Sequence, residues 1–151
     1  MIRLSGTIRQ SEPGHPRTGG RFSKLIEDNG ATFRKYFGVD LFAGSLNIDM
    51  PDPGTLQVDL DSGRYLPAFV IPRHELINMP PYIGDGQAWR AELTTQKSEV
   101  VSCWIFRRIG SRVPKGVVEV LACEKLTIKC GFIHGNRVEL TLFEGAETIE
   151  R

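Results

Sequence analysis

The sequence predicts a mainly β protein, folded as a single small closed β-barrel of about six or seven strands with short helices. Three observations carry that expectation. Strand-length segments with apolar residues at every second position recur along the chain. The links between them are rich in proline and glycine, as in "NMPPYIGDGQ" and "GSRVPKG". The long crossover helices that a parallel sheet requires are missing from the pattern. With 151 residues, 40% of them hydrophobic and 25% charged, the chain fits one domain over 1–151 with a core of useful size.

The elements follow in order. "IRLSGTIRQ" alternates Ile2, Leu4 and Ile8 with polar residues, and Ser5-Gly6 allows a bend. "SEPGHPRTGGR" is loop by composition, and the segment from Gln10 to Gly20 is expected to be mobile without a ligand. Leu25, Ile26, Phe33, Tyr36 and Phe37 then recur at helical spacing, broken at Asn29-Gly30 and stopped at Gly38, which predicts a short helix near residues 30–37. "GSLNIDM" reads as a strand, and "PDPGTLQVDL" as a turn followed by a strand at Leu56, Val58 and Leu60. "AFVIP", "AWRAELTT", "EVVSCWIFRRI", "GVVEVLAC" and "RVELTLF" supply the remaining strands, and "EKLTIKCGF" a second short helix near 124–130.

Composition excludes several function classes. With 19 basic and 18 acidic residues the net charge is +1, so no global field points to nucleic acid or to a membrane surface. Arg107-Arg108 beside Trp104 and Phe106 is read as a strand with one solvated face, not as a nucleic-acid patch. Cys103, Cys123 and Cys130 are odd in number and lack C-x-x-C spacing, which fits reduced thiols in a cytoplasmic protein. His15, His74 and His134 have no metal spacing. No Gly-Lys-Ser phosphate loop, G-x-S-x-G or Cys/His nucleophile pair is present.

Three places hold chemistry. In "FAGSLNIDM", Ser45 and Asn47 share one face of an extended chain while Leu46 and Ile48 share the other, so one face is core and the other offers two neutral oxygens. Those side chains either satisfy backbone groups at a strand end or serve a hard cation. Arg17, Arg21 and Lys24 put positive charge in and beside the glycine-rich loop. Glu119, flanked by Val117, Val118, Val120 and Leu121, is a lone carboxylate in an apolar strand, and either faces solvent or meets a ligand.

Taken together, "GGRF", the aromatic helix, "FGVDLFAGSLNID", "GSRVP" and "VVEVLACEKL" resemble the family of CTP-dependent riboflavin kinases over roughly Gly6 to Leu142. Gly44-Ser45-Leu46-Asn47 matches that family's Gly-Thr-Leu-Asn motif, Ser111 its later Thr with Pro114 following, and Glu119 its Glu. The chain departs from the pattern in a longer glycine-rich loop, in Cys123 after Ala122 where the family has Pro, and in Val113 where an aromatic is usual.

The resemblance implies transfer of the γ-phosphate of Mg-CTP to the 5′-hydroxyl of riboflavin, giving FMN. It further implies Ser45 and Asn47 as Mg²⁺ ligands, and Ser111 and Glu119 as flavin-binding residues, with Glu119 able to take the hydroxyl proton. Nucleotide contacts are implied for Gly6, Arg17, Gly19, Gly20, Arg21 and Lys125. The partners expected are therefore the small molecules CTP and riboflavin, with neither nucleic acid nor membrane. An alternative of a different class is a non-catalytic barrel that binds a nucleotide, a flavin or another small ligand.

Overall fold

The computed structural model describes residues 2–9, 18–50, 60, 65–110 and 116–143, with the backbone alone for 18–22. Seven strands form one antiparallel sheet: β1 (Ile2–Arg9), β2 (Leu46–Asp49), β3 (Phe69–Ile71), β4 (Gly86–Thr94), β5 (Val100–Arg108), β6 (Val117–Leu121) and β7 (Arg137–Leu142). Their order is β3-β4-β5-β6-β2-β1-β7, and β4 also pairs with β7. That last pairing turns six of the strands into a closed ring of hydrogen bonds. β4 can join both partners because it is long: Gly86, Gln87 and Ala88 face β3, and Ala91 to Thr94 face β7.

The alternation seen in the sequence sorts residues to the two faces. Inside the ring lie Ile8, Leu46, Ile48, Trp89, Leu93, Ile105, Val120 and Leu140, all buried, in one apolar cluster. Trp89 donates its indole N–H to the Tyr65 carbonyl at 2.6 Å, so its polar atom is satisfied in that cluster. Gly6 sits where β1 crosses closely over the end of β2. A Cβ there would be 2.5 Å from Ile48 Cγ2 and 2.9 Å from the Asp49 carbonyl oxygen, so the backbone approach itself requires glycine.

The helices α1 (Thr18–Asp28), α2 (Gly30–Phe37) and α3 (Leu126–Lys129) accompany the strands. α2 ends at Gly38, whose φ of 75° closes the helix with its N–H donating to the Arg34 carbonyl. α1 and α2 lay Leu25, Ile26, Phe33 and Phe37 on the outer face of the sheet, against Ile71, Ala88, Trp104, Phe106 and Leu121. Phe37 is the hub of this second cluster, edge-on to Phe69 at 4.7 Å and to Trp104 at 5.2 Å between ring centroids.

Several expectations need correction or fall elsewhere. Thr18 to Arg21 are helical, not loop. The amphipathic Leu25-Ile26 face of α1 buries against the sheet, and that packing outweighs the poor helix propensity of Gly19 and Gly20. The centre of β5 has no solvated face, because Cys103, Trp104, Ile105 and Phe106 are all buried, alternately by the ring interior and by the helices. The strand expected at Leu56 to Leu60 lies outside the described residues apart from Leu60, which is helical and buried. Gln10 to Arg17 also lie outside the described residues, so the loop expectation falls largely there. Among the described residues no helix is long and apolar enough to cross a membrane.

Candidate functional site

The outer face of the ring carries the candidate residues, and strand register brings several of them together. Asn47 pairs with Glu119 across β2 and β6, Glu119 with Phe106 across β6 and β5, and Asn47 with Arg9 across β2 and β1. Directly opposed residues of antiparallel strands project to the same side. Arg9, Asn47, Glu119 and Phe106 therefore form one row across four strands, on the face opposite Ile8, Ile48 and Val120.

Ser45 stands one step before β2, on the Asn47 side. Its hydroxyl donates to Asn47 Oδ1 at 3.2 Å, and both residues are half-buried. The two side chains thus hold a pair of neutral oxygens together, the ligand type a hard cation takes. α1 runs past this point, since a Cβ on Gly44 would lie 3.5 Å from Ser23 Oγ. Among the described residues no group of three or more His, Cys, Asp or Glu is placed to hold a metal ion.

Glu119 is 6% exposed. Burial pushes its carboxyl above the usual range, and the charge of Arg108 pulls it part of the way back. Arg108 follows Phe106 by two residues on β5 and so shares its face. Its own guanidinium is lowered by burial, with Glu119 and Tyr82 opposing that shift. A carboxylate set in a strand of valines is thus buried on the outer face, where its charge is costly and its proton is held more tightly.

Lys125 belongs to a neighbouring feature. A cleft of about 80 Å³ opens beside β2 and β6, lined by Phe42, Ser45, Ala122, Glu124, Lys125 and Thr127, among others. Lys125 Nζ stands 5.9 Å from the centroid of the Phe42 ring. The Phe42 amide donates to the Ala122 carbonyl at 2.9 Å and ties the two sides of the cleft together. Ser45 lines this cleft and touches Asn47, so it links the cleft to the row.

Of the residues singled out from sequence, Ser45, Asn47, Glu119 and Lys125 are therefore gathered around β2 and β6. Gly6 lies on β1 with the packing role described above. Gly19, Gly20 and Arg21 are in the first turn of α1, and Arg17 and Ser111 lie outside the described residues. Sequence reasoning passed over Arg9 and Phe42, and gave Arg108 to a solvated face. The signal for the two arginines was present only as alternation within their strands, and it acquires meaning once the register sets them beside Asn47 and Glu119. No protein-family model matches the chain, and no curated protein matches it.

Proposed function

We propose that this protein is a phosphotransferase that binds Mg²⁺ and a nucleoside triphosphate, CTP by the resemblance, and phosphorylates the riboflavin 5′-hydroxyl to give FMN. On this reading the six-strand ring is the small closed barrel of the riboflavin-kinase type. The observation that carries it is the juxtaposition of Ser45, Asn47 and Glu119, a pair of neutral oxygens beside one buried carboxylate.

The oxygens fit the metal. An Mg²⁺ octahedron with ligands at about 2.1 Å has an edge of roughly 3 Å, and Ser45 Oγ and Asn47 Oδ1 are 3.2 Å apart. Bound there with the triphosphate, the cation would neutralise charge on the phosphate oxygens. Glu119, with its proton affinity raised by burial, accepts the proton of the acceptor hydroxyl as that oxygen bonds to the γ-phosphorus. The bond from the γ-phosphorus to the bridging oxygen breaks, and the nucleoside diphosphate leaves. The burial of Glu119 would limit water near the carboxylate, which favours transfer over hydrolysis.

One observation favours the second reading, a non-catalytic ligand-binding barrel. Gly19 and Gly20 are helical, so they do not form the open glycine loop by which the kinase family cradles its triphosphate. Incubating the purified protein with Mg²⁺, riboflavin and each nucleoside triphosphate in turn separates the two. FMN formation with one of them is the expected result. Flavin or nucleotide binding without FMN would support the second reading, and binding of neither would overturn the kinase reading and leave the second only with a different small ligand.

A further inference from the structure

The row across the outer face contains a cation that the proposed chemistry has not used. Arg9 is the last residue of β1 and stands directly opposite Asn47 on β2. Opposed residues in an antiparallel pair have Cβ atoms about 5 Å apart, well within the reach of a guanidinium. Arg9 Nη1 meets Asp49 Oδ1 at 3.4 Å, and the two side chains are 47% and 42% exposed. Asp49 lies two residues beyond Asn47 and so projects to the same face.

We propose that Arg9 binds the polyphosphate of the nucleotide held at Ser45 and Asn47, and that Asp49 holds the guanidinium at the edge of that site until the phosphates arrive. This rests on the nucleotide-binding reading of the site. The geometry suits the role in three respects. A planar fork of donors matches phosphate oxygens in a bidentate way. An exposed ion pair at 3.4 Å is weak and readily exchanged for a more highly charged partner. The strand fixes the Arg9 backbone beside Asn47, so little ordering is needed beyond the side chain itself. Positive charge near the transferring group is what phosphoryl transfer asks of the protein.

The experiment is a calorimetric titration of the full-length chain with Mg²⁺ plus CTP, and separately with Mg²⁺ plus inorganic tripolyphosphate. It uses wild type, Arg9→Met, Arg9→Lys and Asp49→Asn, each checked for an unchanged thermal melt. Arg9→Met is expected to weaken both ligands about 10- to 100-fold, the loss typical of a charge-assisted contact. Arg9→Lys should recover most of the affinity for tripolyphosphate. Asp49→Asn should bind both ligands more tightly, because it removes the competitor for Arg9 and one negative charge. A purely structural ion pair would instead make Arg9→Met and Asp49→Asn lose affinity alike, which overturns the proposal. Wild-type binding that Arg9→Met leaves unchanged overturns it while sparing the nucleotide reading. Absence of wild-type binding to either ligand overturns both.

Discussion

At the scale of single residues, Glu119 shows what a buried carboxylate costs the fold. Its position in β6 is buried, and burial outweighs the nearby charge of Arg108, so the folded protein holds the proton of Glu119 more tightly than the unfolded chain does. The sign of the linkage follows. The contribution of Glu119 to stability is fully present below the unfolded value, about pH 4.3, and is lost as pH rises through the raised folded value. Glu119→Gln is neutral throughout, so it should flatten that part of the profile. At pH 7 it should exceed wild type by roughly 1 kcal/mol, or about 2–4 °C in Tm. On the proposed kinase reading the same change should lower phosphoryl transfer by about 10²- to 10⁴-fold, since Glu119 would be the proton acceptor. Thermal melts from pH 4 to 8 check the first part, and a Glu119→Gln protein less stable than wild type at pH 7 would contradict it. That Glu119 needed a reason to sit among valines was legible in the sequence. That it is buried between Asn47 and Phe106 was not, because the strand pairing that sets those neighbours is long-range.

At the scale of elements, periodicity was a good guide and long-range contacts were hidden. The aromatic spacing of α2 and its glycine stop were readable, as was the alternation that sends Leu46 and Ile48 inward. The helicity of Gly19 and Gly20 was not, because local composition argued for loop while the burial of Leu25 and Ile26 decided the outcome. Asn29 is the sharpest case. In sequence it is half of an Asn-Gly break, yet in the structure it is buried and works as a clamp. Its Nδ2 donates to the Leu25 carbonyl at 2.9 Å and to the Ile77 carbonyl at 3.0 Å, and its Oδ1 accepts from the Ile77 amide at 2.8 Å. The partner segment is 48 residues away, so no local pattern announces it. Asn29→Ala would strand the Ile77 groups as well as remove the side chain. A loss of about 2–4 kcal/mol is expected in urea unfolding; a loss under about 0.5 kcal/mol would show that the helix pair is held by its aromatic contacts alone.

At the scale of the whole molecule, the question is whether two apolar clusters behave as one. The inner cluster lies inside the ring and the outer one between the sheet and the helices, yet they share strands residue by residue: Trp104 and Phe106 face outward where Ile105 faces inward, and Leu121 outward where Val120 faces inward. Any loss of the outer cluster therefore disturbs the ladders that line the inner one. The ring adds to this coupling, because β4 is bonded to β5 along one edge and to β3 and β7 along the other. The two tryptophans report the clusters separately, since Trp89 is 1% exposed in the inner cluster and Trp104 is 9% exposed in the outer one. Single-tryptophan variants, Trp104→Phe to observe Trp89 and Trp89→Phe to observe Trp104, should each show a fluorescence transition that coincides with loss of the far-ultraviolet dichroism of the same variant. Each substitution lowers Tm on its own account, so the comparison is made within a variant and not between them. A Trp104 signal that moves several degrees before the dichroism would mean that the helices leave the sheet as a separate unit. Coincident transitions would mean that the helices and the ring unfold as one unit, so that the packing over the outer face draws on the full stability of the fold.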